Sequence, residues 1–204
     1  MRSVLLDGVE IYPSKIVCVG RNYVEHIREL NNEMPTEPVI FIKPNSSISE
    51  ELNSSSDEEI HYEGEITFLV LFDELAGVGF GLDLTKRAVQ TNLKAKGLPW
   101  ERSKAFDRSA VFSEFVAFEG ETDTLRMELW INGQLVQQGS YELMLNKPEA
   151  LLQEVGRFLT LEEGDLLMTG TPSGVGKLNV GDRVTGRVYS DQRMLLEQSW
   201  VVQP

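Results

Sequence analysis

The stretch from His61 to Val70 places two carboxylates at the start of an apolar β-strand. Side chains alternate between the faces of an extended strand, so Glu63 and Glu65 point the same way, with Cα atoms about 7 Å apart. Residues 66–72 are apolar and rich in β-forming types, which is typical of a strand in a buried sheet. Because unpaired carboxylates are costly there, the pair is either a solvated surface pair or part of a site that holds positive charge.

Length and charge limit the class of protein. The chain has 204 residues, enough for one domain with a sizeable core, and no composition break indicates two domains. A formal net charge of −13 argues against a nucleic-acid partner and against an anionic membrane surface. An anionic substrate would therefore need local positive charge from a metal ion, a lysine or an arginine.

Cysteine usage and hydropathy bear on the compartment. Cys18 is the single cysteine of the chain, which suits a reducing compartment, and the sequence shows no partner that would activate it as a nucleophile. Residues 1–7 lack the apolar core of a signal peptide, and no later run approaches a membrane span. We therefore expect a cytoplasmic protein with Cys18 in a buried strand.

The apolar pattern predicts more strands than helices. Strands are predicted at 15–20, 39–44, 66–72, 77–82, 166–169 and twice within 181–202, and a hairpin turns at Asn132-Gly133. Short helices are predicted at about 22–32, 86–94 and 148–159. Residues 45–59 are rich in serine, asparagine and acids and predict an exposed loop. The expected class is a mainly β, α+β single domain over 1–204.

The first predicted helix carries a histidine and a glutamate three residues apart. His26 and Glu29 would share a face, and Asn22 could cap the helix. A carboxylate beside a histidine fixes its tautomer and raises its basicity, as a general base requires; the alternative is a plain surface pair. The loop at 31–38 contains two prolines and could act as a hinge that lets this helix close over a substrate.

Two further segments bear on the site. Asp83 ends a predicted strand just before a predicted helix, so it is either a helix cap or a ligand. The glycine-rich loop at 170–176 has neither Walker nor Rossmann spacing and precedes no predicted helix, so nucleotide binding is not supported.

Five separated motifs together resemble the fumarylacetoacetate hydrolase superfamily. In chain order they are Val19 to Tyr23 with His26 and Glu29, His61 to Glu65, Leu82 to Thr85 with Gln90, Gly97 to Trp100 with Lys104, and Leu161 to Asp165 with Thr169 to Gly176. The match covers nearly the whole chain. It looks most like the short, single-domain branch that includes acylpyruvate hydrolases and oxaloacetate decarboxylases, which implies a mixed β-sandwich or roll with short helices.

The resemblance implies a metal site. It assigns Glu63, Glu65 and Asp83 to one divalent cation, Mg²⁺ or Mn²⁺, and such oxygen ligands suit a hard cation. Some two-domain members add a fourth aspartate where this chain has Val19, so we expect three carboxylate ligands. His61 lies beside the ligands and is either a support for them or purely structural.

The resemblance also implies catalytic roles. It makes His26 and Glu29 a catalytic dyad on a lid helix and Lys104 the catalytic lysine. The residues implied to bind the substrate are Arg21, Gln90 and Thr171. Homodimers are usual in the family, and the apolar strands near the C-terminus could form the interface.

The implied substrate is a small 2-oxo acid, which can chelate the metal through its carboxylate and keto oxygens. In one reaction His26 activates a water that cleaves an acylpyruvate, and the metal and Lys104 stabilise the pyruvate enolate that is released. In another, the same enolate forms when oxaloacetate loses CO₂. The alternatives are an isomerase or decarboxylase of ring-cleavage diacids such as 2-hydroxyhepta-2,4-diene-1,7-dioate, and a silent homologue that only binds metal and 2-oxo acid.

Overall fold

A computed structural model describes residues 1–54 and 58–204 of the chain. Its strands are, in chain order, β1 (Val4–Leu6), β2 (Val9–Ile11), β3 (Lys15–Gly20), β4 (Val39–Pro44), β5 (Ile48–Ser49), β6 (Ile60–Tyr62), β7 (Gly64–Leu71), β8 (Glu74–Asp83), β9 (Thr85–Lys86), β10 (Ala110–Phe112), β11 (Val116–Ala117), β12 (Leu125–Ile131), β13 (Gln134–Ser140), β14 (Leu166–Met168), β15 (Gly176–Lys177), β16 (Arg183–Ser190) and β17 (Arg193–Val201). The α-helices are α1 (Val24–Glu29), α2 (Arg87–Ala95), α3 (Glu101–Lys104) and α4 (Pro148–Gly156). The predicted mainly β, α+β class with short helices is confirmed.

Two sheets form most of the molecule. The larger has eight strands in the order β4-β3-β14-β7-β8-β10-β5, with β11 paired to β8. The smaller has the order β13-β12-β16-β17. A three-stranded sheet of β15-β6-β9 and the β1-β2 ribbon complete the pairing among the described residues. In the large sheet β14 is parallel to β3 and antiparallel to β7, so a late strand joins two early ones.

The main core lies between the two large sheets. Phe68 and Phe80 from the large sheet belong to one buried cluster with Met127 and Val184 from the small sheet. The two sheets approach each other so closely at Gly186 on β16 that an added Cβ would lie 2.3 Å from the ring of Phe80. The sheets therefore need a residue without a side chain at this crossing.

A second apolar cluster covers the other face of the large sheet. Ile16, Leu69 and Met168 belong to it, and so does Cys18, which is buried in β3 as expected. Burial raises the pKa of the Cys18 thiol well above its ordinary value, so the side chain behaves as a small apolar group. Strands of the large sheet are thus covered on both faces.

The predicted hairpin is present between β12 and β13. Asn132 and Gly133 have φ values of 51° and 81°, as the two-residue turn requires. The strand predicted at 77–82 is longer than expected, because β8 begins at Glu74, directly after the left-handed residues Phe72 and Asp73. The pairing of β7 with β8 forms the floor of the candidate site.

The lid helix is shorter than predicted. The sequence predicted about 22–32, whereas α1 has six residues and is followed by Asn31 in the left-handed conformation, with φ of 50°, which ends the helix. The prediction that Asn22 caps this helix is wrong, since the cap position belongs to Tyr23. Asn22 is instead fully buried, donates to the carbonyls of Asn146 and Thr169, and accepts the Asn146 N–H.

The predicted exposed loop at 45–59 is partly ordered into the fold. Ser47 and Leu52 are buried, and β5 pairs with β10. Residues 55–57 of this loop lie outside the described residues. None of the helices that the structure describes is long and apolar enough to cross a membrane.

Candidate active site

Three carboxylates meet at the floor of the large sheet. Glu63 lies between β6 and β7, Glu65 is the second residue of β7, and Asp83 ends the neighbouring strand β8. Each offers an oxygen atom within 4.8 Å of the others, and all three side chains are buried. The register pairs Gly64 with Leu82, which brings Asp83 beside the glutamate pair. Neither a surface pair nor a helix cap describes this cluster.

Lys104 faces the cluster from α3. Its Nζ donates to Glu63 Oε2 at 2.8 Å, to Asp83 Oδ2 at 2.5 Å and to Thr85 Oγ1 at 2.6 Å, so all three of its protons are used. Arg87, in the first turn of α2, pairs with the other oxygen of Glu63. The predicted catalytic lysine is therefore held against two of the three carboxylates.

Lys43 on β4 faces Asp83 and is also fully buried. Its Nζ lies 2.9 Å from Asp83 Oδ1. Its hydrogen bonds, however, go to the backbone carbonyls of Leu84, Lys104 and Ser109. Asp83 Oδ1 is therefore a buried oxygen without a hydrogen-bond donor among the residues that the structure describes.

The three carboxylates differ in electrostatic environment. Burial opposes ionisation of Glu63, but the charges of Lys104 and Arg87 outweigh it and hold the pKa of Glu63 well below its ordinary value. Burial raises the pKa of Glu65 well above its ordinary value, and the charges of Asp83 and Glu63 raise it further. The charge of Lys104 and the N–H of Gly170, which donates to Glu65 Oε2 at 2.7 Å, offset only part of this effect. Glu65 is therefore the carboxylate of the cluster that is least compensated by positive charge.

These observations fit a divalent cation. Asp83 Oδ1 has no donor within the described ranges, Glu65 lacks a cationic partner there, and the ligand atoms are all carboxylate oxygens. Hard cations such as Mg²⁺ and Mn²⁺ bind such oxygens. Glu63, Glu65 and Asp83 could hold the ion, as the sequence predicted.

The helix α1 brings the predicted dyad together. His26 Nδ1 and Glu29 Oε2 are 3.1 Å apart, and the His26 side chain is buried. The other oxygen of Glu29 accepts the N–H of Gly174 at 3.0 Å, which attaches the helix to the glycine-rich loop. Since Nδ1 is engaged by Glu29, Nε2 is the nitrogen that remains for a substrate.

His26 of the dyad and Glu63 of the carboxylate cluster border one small cavity of about 30 Å³. Its lining includes His26, Glu63 and Lys104 together with Gln90 and Arg21. A volume of this size has room for one or two water molecules. Five of the nine predicted site residues therefore line one cavity, and Glu29 reaches it through His26.

The predicted substrate residue Thr171 has a different set of contacts. Its hydroxyl donates to the carbonyl of Gly64 at 2.9 Å and accepts from Gln137 Nε2 at 2.8 Å. Gln137 in turn accepts the N–H of Gly64 at 2.9 Å. Thr171 and Gln137 thus hold the start of β7 in place, and a substrate contact for Thr171 stays a prediction.

Sequence reasoning missed Lys43, Arg87 and Gln137. Lys43 is flanked by an apolar strand and Pro44, and a lysine there gives no signal that its side chain is fully buried. Arg87 had a signal, since it lies one helical turn before Gln90 and so shares its face; Nη1 of Arg87 donates to Gln90 Oε1 at 2.7 Å. Gln137 lies on a hairpin strand that carries no other site residue. His61, which the sequence left open, pairs with Glu59 at 2.6 Å and is not part of the carboxylate cluster.

The comparison with protein families decides what kind of fold surrounds this site. The family model of the fumarylacetoacetate (FAA) hydrolase C-terminal domain matches residues 15–197, nearly the whole chain. The chain belongs to the fumarylacetoacetate hydrolase family. All nine predicted site residues lie within the matched range.

Relatives in this family carry two kinds of name. The chain is 40% identical over 203 residues to the oxaloacetate tautomerase YcgM of Escherichia coli, covering 90% of this chain and 91% of the relative. The structure resembles that of fumarylpyruvate hydrolase from Pseudomonas aeruginosa in complex with Mn²⁺ and pyruvate, with a TM-score of 0.88, 29% identity, and coverage of 99% and 95%. A proposed fumarylacetoacetate isomerase/hydrolase from Oleispira antarctica has a TM-score of 0.92, 39% identity, and coverage of 99% and 100%. These relatives support an enzyme of small oxo acids.

Proposed function

We propose that this protein is a divalent-metal-dependent enzyme that interconverts the enol and keto forms of oxaloacetate. The observation that carries the proposal is that His26, which contacts Glu29 through Nδ1, borders the same cavity as Glu63 and Lys104. Tautomerisation needs a group that moves a proton to or from carbon and groups that stabilise negative charge on the enolate oxygen. The cavity holds both, and the similarity to an oxaloacetate tautomerase supports the substrate.

The roles follow from the geometry of the side chains. A divalent cation held by Glu63, Glu65 and Asp83 would supply Lewis-acid polarisation of the 2-oxo group. The enol hydroxyl releases its proton to solvent water, and the positive charge of Lys104 stabilises the enolate that results. His26 delivers a proton from Nε2 to C3 of the substrate, and Glu29 stabilises its protonated form through Nδ1.

Arg87, Gln90 and Arg21 also line the cavity and are placed to bind the substrate. Arg87 already touches the Gln90 carbonyl oxygen, which leaves the Gln90 amide group to donate to a substrate oxygen. Thr171 acts by holding the backbone of Gly64 next to the metal ligands.

A second activity, hydrolysis of acylpyruvates, is favoured by the same dyad. His26 takes a proton from a water molecule, whose hydroxide adds to the distal carbonyl carbon. The bond between that carbon and C3 then breaks, its electron pair forms the pyruvate enolate, and protonation at C3 gives pyruvate beside the new carboxylic acid. The resemblance to a fumarylpyruvate hydrolase in complex with Mn²⁺ and pyruvate supports this reaction. Decarboxylation of oxaloacetate would share the enolate but needs no water activation, so the dyad does not favour it.

The test measures three reactions with the purified protein in Mg²⁺, in Mn²⁺ and in EDTA. They are the ultraviolet decay of enol-oxaloacetate, pyruvate release from acetylpyruvate, and CO₂ release from oxaloacetate. We expect fast, EDTA-sensitive tautomerisation that Glu63→Gln removes, with slower acetylpyruvate cleavage. A wild type that leaves the enol decay at its uncatalysed rate in both metals would overturn the main proposal. Activity only on longer ring-cleavage diacids would support the isomerase alternative instead.

The oligomeric state and the cytoplasmic location stay predictions. Light scattering coupled to gel filtration measures the mass of the particle in solution. A homodimer would have twice the mass of the chain, whereas a monomer at micromolar concentration would contradict the expectation.

A further inference from the structure

Two cations at the cavity have no carboxylate partner among the described residues. Arg21 and Lys94 both line it. Over residues 1–54 and 58–204, the ion pairs of the site join Lys104 and Arg87 to Glu63 and join Lys104 and Lys43 to Asp83. Neither Arg21 nor Lys94 forms one. Lys94 Nζ donates to the amide oxygen of Asn32, a neutral group. Both side chains are only partly exposed, and a partly buried cation without a counter-ion is unfavourable, so its retention indicates a role.

Arg21 has two further features that point to a ligand. Its Nε is buried and has no hydrogen-bond partner in the described part of the chain, and its Nη1 makes only a long contact of 3.5 Å with the carbonyl of Glu33. Its backbone is left-handed, with φ of 56°, a conformation that a long side chain rarely adopts. Such strain concentrates at functional sites, and an unsatisfied guanidinium is suited to a carboxylate.

The charges around the cavity leave room for more than one negative charge on the ligand. The carboxylates at the site are Glu29, Glu63, Glu65 and Asp83, and the cations are Arg21, Lys43, Arg87, Lys94 and Lys104. When all are ionised the cations exceed the carboxylates by one. A divalent metal ion would raise the excess to three, which a dicarboxylate offsets further than a monocarboxylate does.

The electrostatic environment of Lys94 agrees with an excess of positive charge around the cavity. Burial lowers the pKa of Lys94, and the charges of Arg21 and Arg87 lower it further, ahead of any opposing effect from Glu63. Its ammonium group also lies 5.9 Å from the ring centroid of Trp100. The positive charges of Arg21 and Arg87 therefore affect the pKa of Lys94 more than the negative charge of Glu63 does. An anion between Arg21 and Lys94 would relieve the repulsion between these two cations.

We propose that Arg21 and Lys94 form a subsite for the second carboxylate of a dicarboxylic 2-oxo acid. The inference rests on the proposed function, in which the carboxylate cluster takes up the 2-oxo acid end of the substrate. The distal carboxylate then lies between the Arg21 guanidinium and the Lys94 ammonium. The subsite selects oxaloacetate over monocarboxylic 2-oxo acids, because only a dicarboxylate places a second negative charge between Arg21 and Lys94.

The test compares two ligands that differ only in the distal carboxylate. Oxaloacetate and 2-oxobutanoate share a four-carbon 2-oxo acid skeleton. Their dissociation constants are measured by quenching of tryptophan fluorescence in the Mn²⁺-loaded protein, within seconds of mixing. In Lys94→Met we expect about tenfold weaker binding of oxaloacetate, as for loss of one charge-assisted hydrogen bond, and less than about twofold change for 2-oxobutanoate. Arg21→Met should change the two constants in the same unequal way.

The controls separate this subsite from a general effect on folding or on the 2-oxo acid site. Lys96→Met removes an exposed lysine from the same end of α2 and should leave both constants unchanged. Lys94→Arg keeps the charge and should retain most of the preference for oxaloacetate. If Lys94→Met binds both ligands equally more weakly, or binds oxaloacetate like the wild type, the subsite is wrong while the proposed function stands. If the wild type binds neither ligand, both proposals fail.

Discussion

At the scale of single residues, Glu29 joins His26 to the glycine-rich loop. One of its oxygens contacts His26 Nδ1 and the other accepts the N–H of Gly174. Glu29→Gln removes the charge that stabilises protonated His26, so we expect kcat for oxaloacetate tautomerisation to fall about 100-fold, with a much smaller change in KM. Stopped-flow decay of the enol absorbance measures both constants.

The matched control for Glu29 is on the same helix. Glu25 is exposed and pairs only with Arg28 among the described residues, so Glu25→Gln should keep wild-type kcat. A Glu29→Gln protein that turns over at the wild-type rate would show that His26 works without its carboxylate. Equal losses of kcat in Glu29→Gln and Glu25→Gln would indicate a general effect on helix α1 and not a specific effect on the His26–Glu29 pair.

Asp165 is a residue whose role is structural and depends on pH. Its carboxylate accepts the N–H groups of Ser14, Lys15 and Glu162 and pairs with the Lys15 ammonium, which ties the start of β14 to the start of β3. Burial opposes its ionisation, but these partners outweigh burial and lower the pKa of Asp165 below its ordinary 3.8. Asp165→Asn should reduce the free energy of unfolding by about 2 kcal/mol at pH 7.

The sign of the pH effect follows from the lowered pKa. The stabilisation by Asp165 is fully present above the pKa of the unfolded chain, about 3.9, and is lost as the pH falls through the lower folded value. Urea titrations at several pH values should therefore show the difference between wild type and Asp165→Asn shrinking below about pH 4. Asp191→Asn, in an exposed turn, is the control and should match the wild type throughout. A constant difference down to about pH 2 would contradict this role.

Single-residue roles were predictable only where residue type and spacing carry the chemistry. The spacing of Glu63 and Glu65 and of His26 and Glu29 is enough to place each pair on one face. Lys43 could not be found this way, because its place beside Asp83 depends on the pairing of β4 with β3 and on the position of α3. Contacts between distant strands have no signature in local sequence.

At the scale of elements, α1 owes its stability to its anchors. A six-residue helix is not stable on its own. Buried Asn22 joins its start to Asn146 and Thr169, and Glu29 joins its end to Gly174. The sequence predicted a helix here but overestimated its length, because the polar residues after Glu29 show no clear stop signal. The end comes from the left-handed turn at Asn31.

The packing of β16 on β8 gives a prediction about sheet contact. Gly186→Ala would place a methyl group 2.3 Å from the Phe80 ring, so the ring or the strand must shift. We expect a loss of about 1–3 kcal/mol in the free energy of unfolding. In contrast, a methyl group added at Gly156, at the end of α4, would have no described atom within 4 Å, and Gly156→Ala should stabilise by about 0.5 kcal/mol. Denaturant titration measures the free energy of unfolding of both variants. Equal changes in the two variants would contradict the close approach of Gly186 to Phe80.

At the scale of the whole molecule, metal binding should stabilise the fold. The three proposed ligands lie on β7, on β8 and at the residue before β7, so a bound ion would favour the folded chain over the unfolded chain. At 100 times the dissociation constant the gain is about 2.7 kcal/mol, which raises Tm by about 5–10 °C for a chain of this size. Calorimetry with Mn²⁺ and with EDTA measures the shift.

Glu65→Gln is the variant that tests this effect. It should fold without metal, because it removes a buried carboxylate that two other carboxylates repel, and it should lose most of the Mn²⁺-dependent rise in Tm. Glu58→Gln, an exposed change outside the cluster, should keep the full rise. An equal Mn²⁺-dependent rise in Tm in the wild type, Glu65→Gln and Glu58→Gln would show that the ion binds elsewhere.

The overall class was predictable, but the order of the strands was not. Apolar runs and the Asn132-Gly133 turn indicate where strands and one hairpin lie. Nothing local indicates that β14 lies between β3 and β7, since β14 is separated from β7 by about half the chain and from β3 by even more. That order places Gly170, which follows β14, beside Glu65. The shape of the site therefore depends on long-range pairing that the family resemblance implies and local pattern does not.

The cavity of about 30 Å³ has a consequence for the speed of the enzyme. A four-carbon diacid is larger than this cavity, so we expect its entry to require a shift of α1 that would break and remake the contact between Glu29 and Gly174. Motions of this kind displace solvent, and their rates fall as solvent viscosity rises. Added sucrose should therefore slow the turnover of a substrate whose chemical step is fast, in proportion to viscosity, and leave the turnover of a substrate whose chemical step is slow unaffected. In crystals in which lattice neighbours hold α1 in place, a soaked substrate should fail to enter the site.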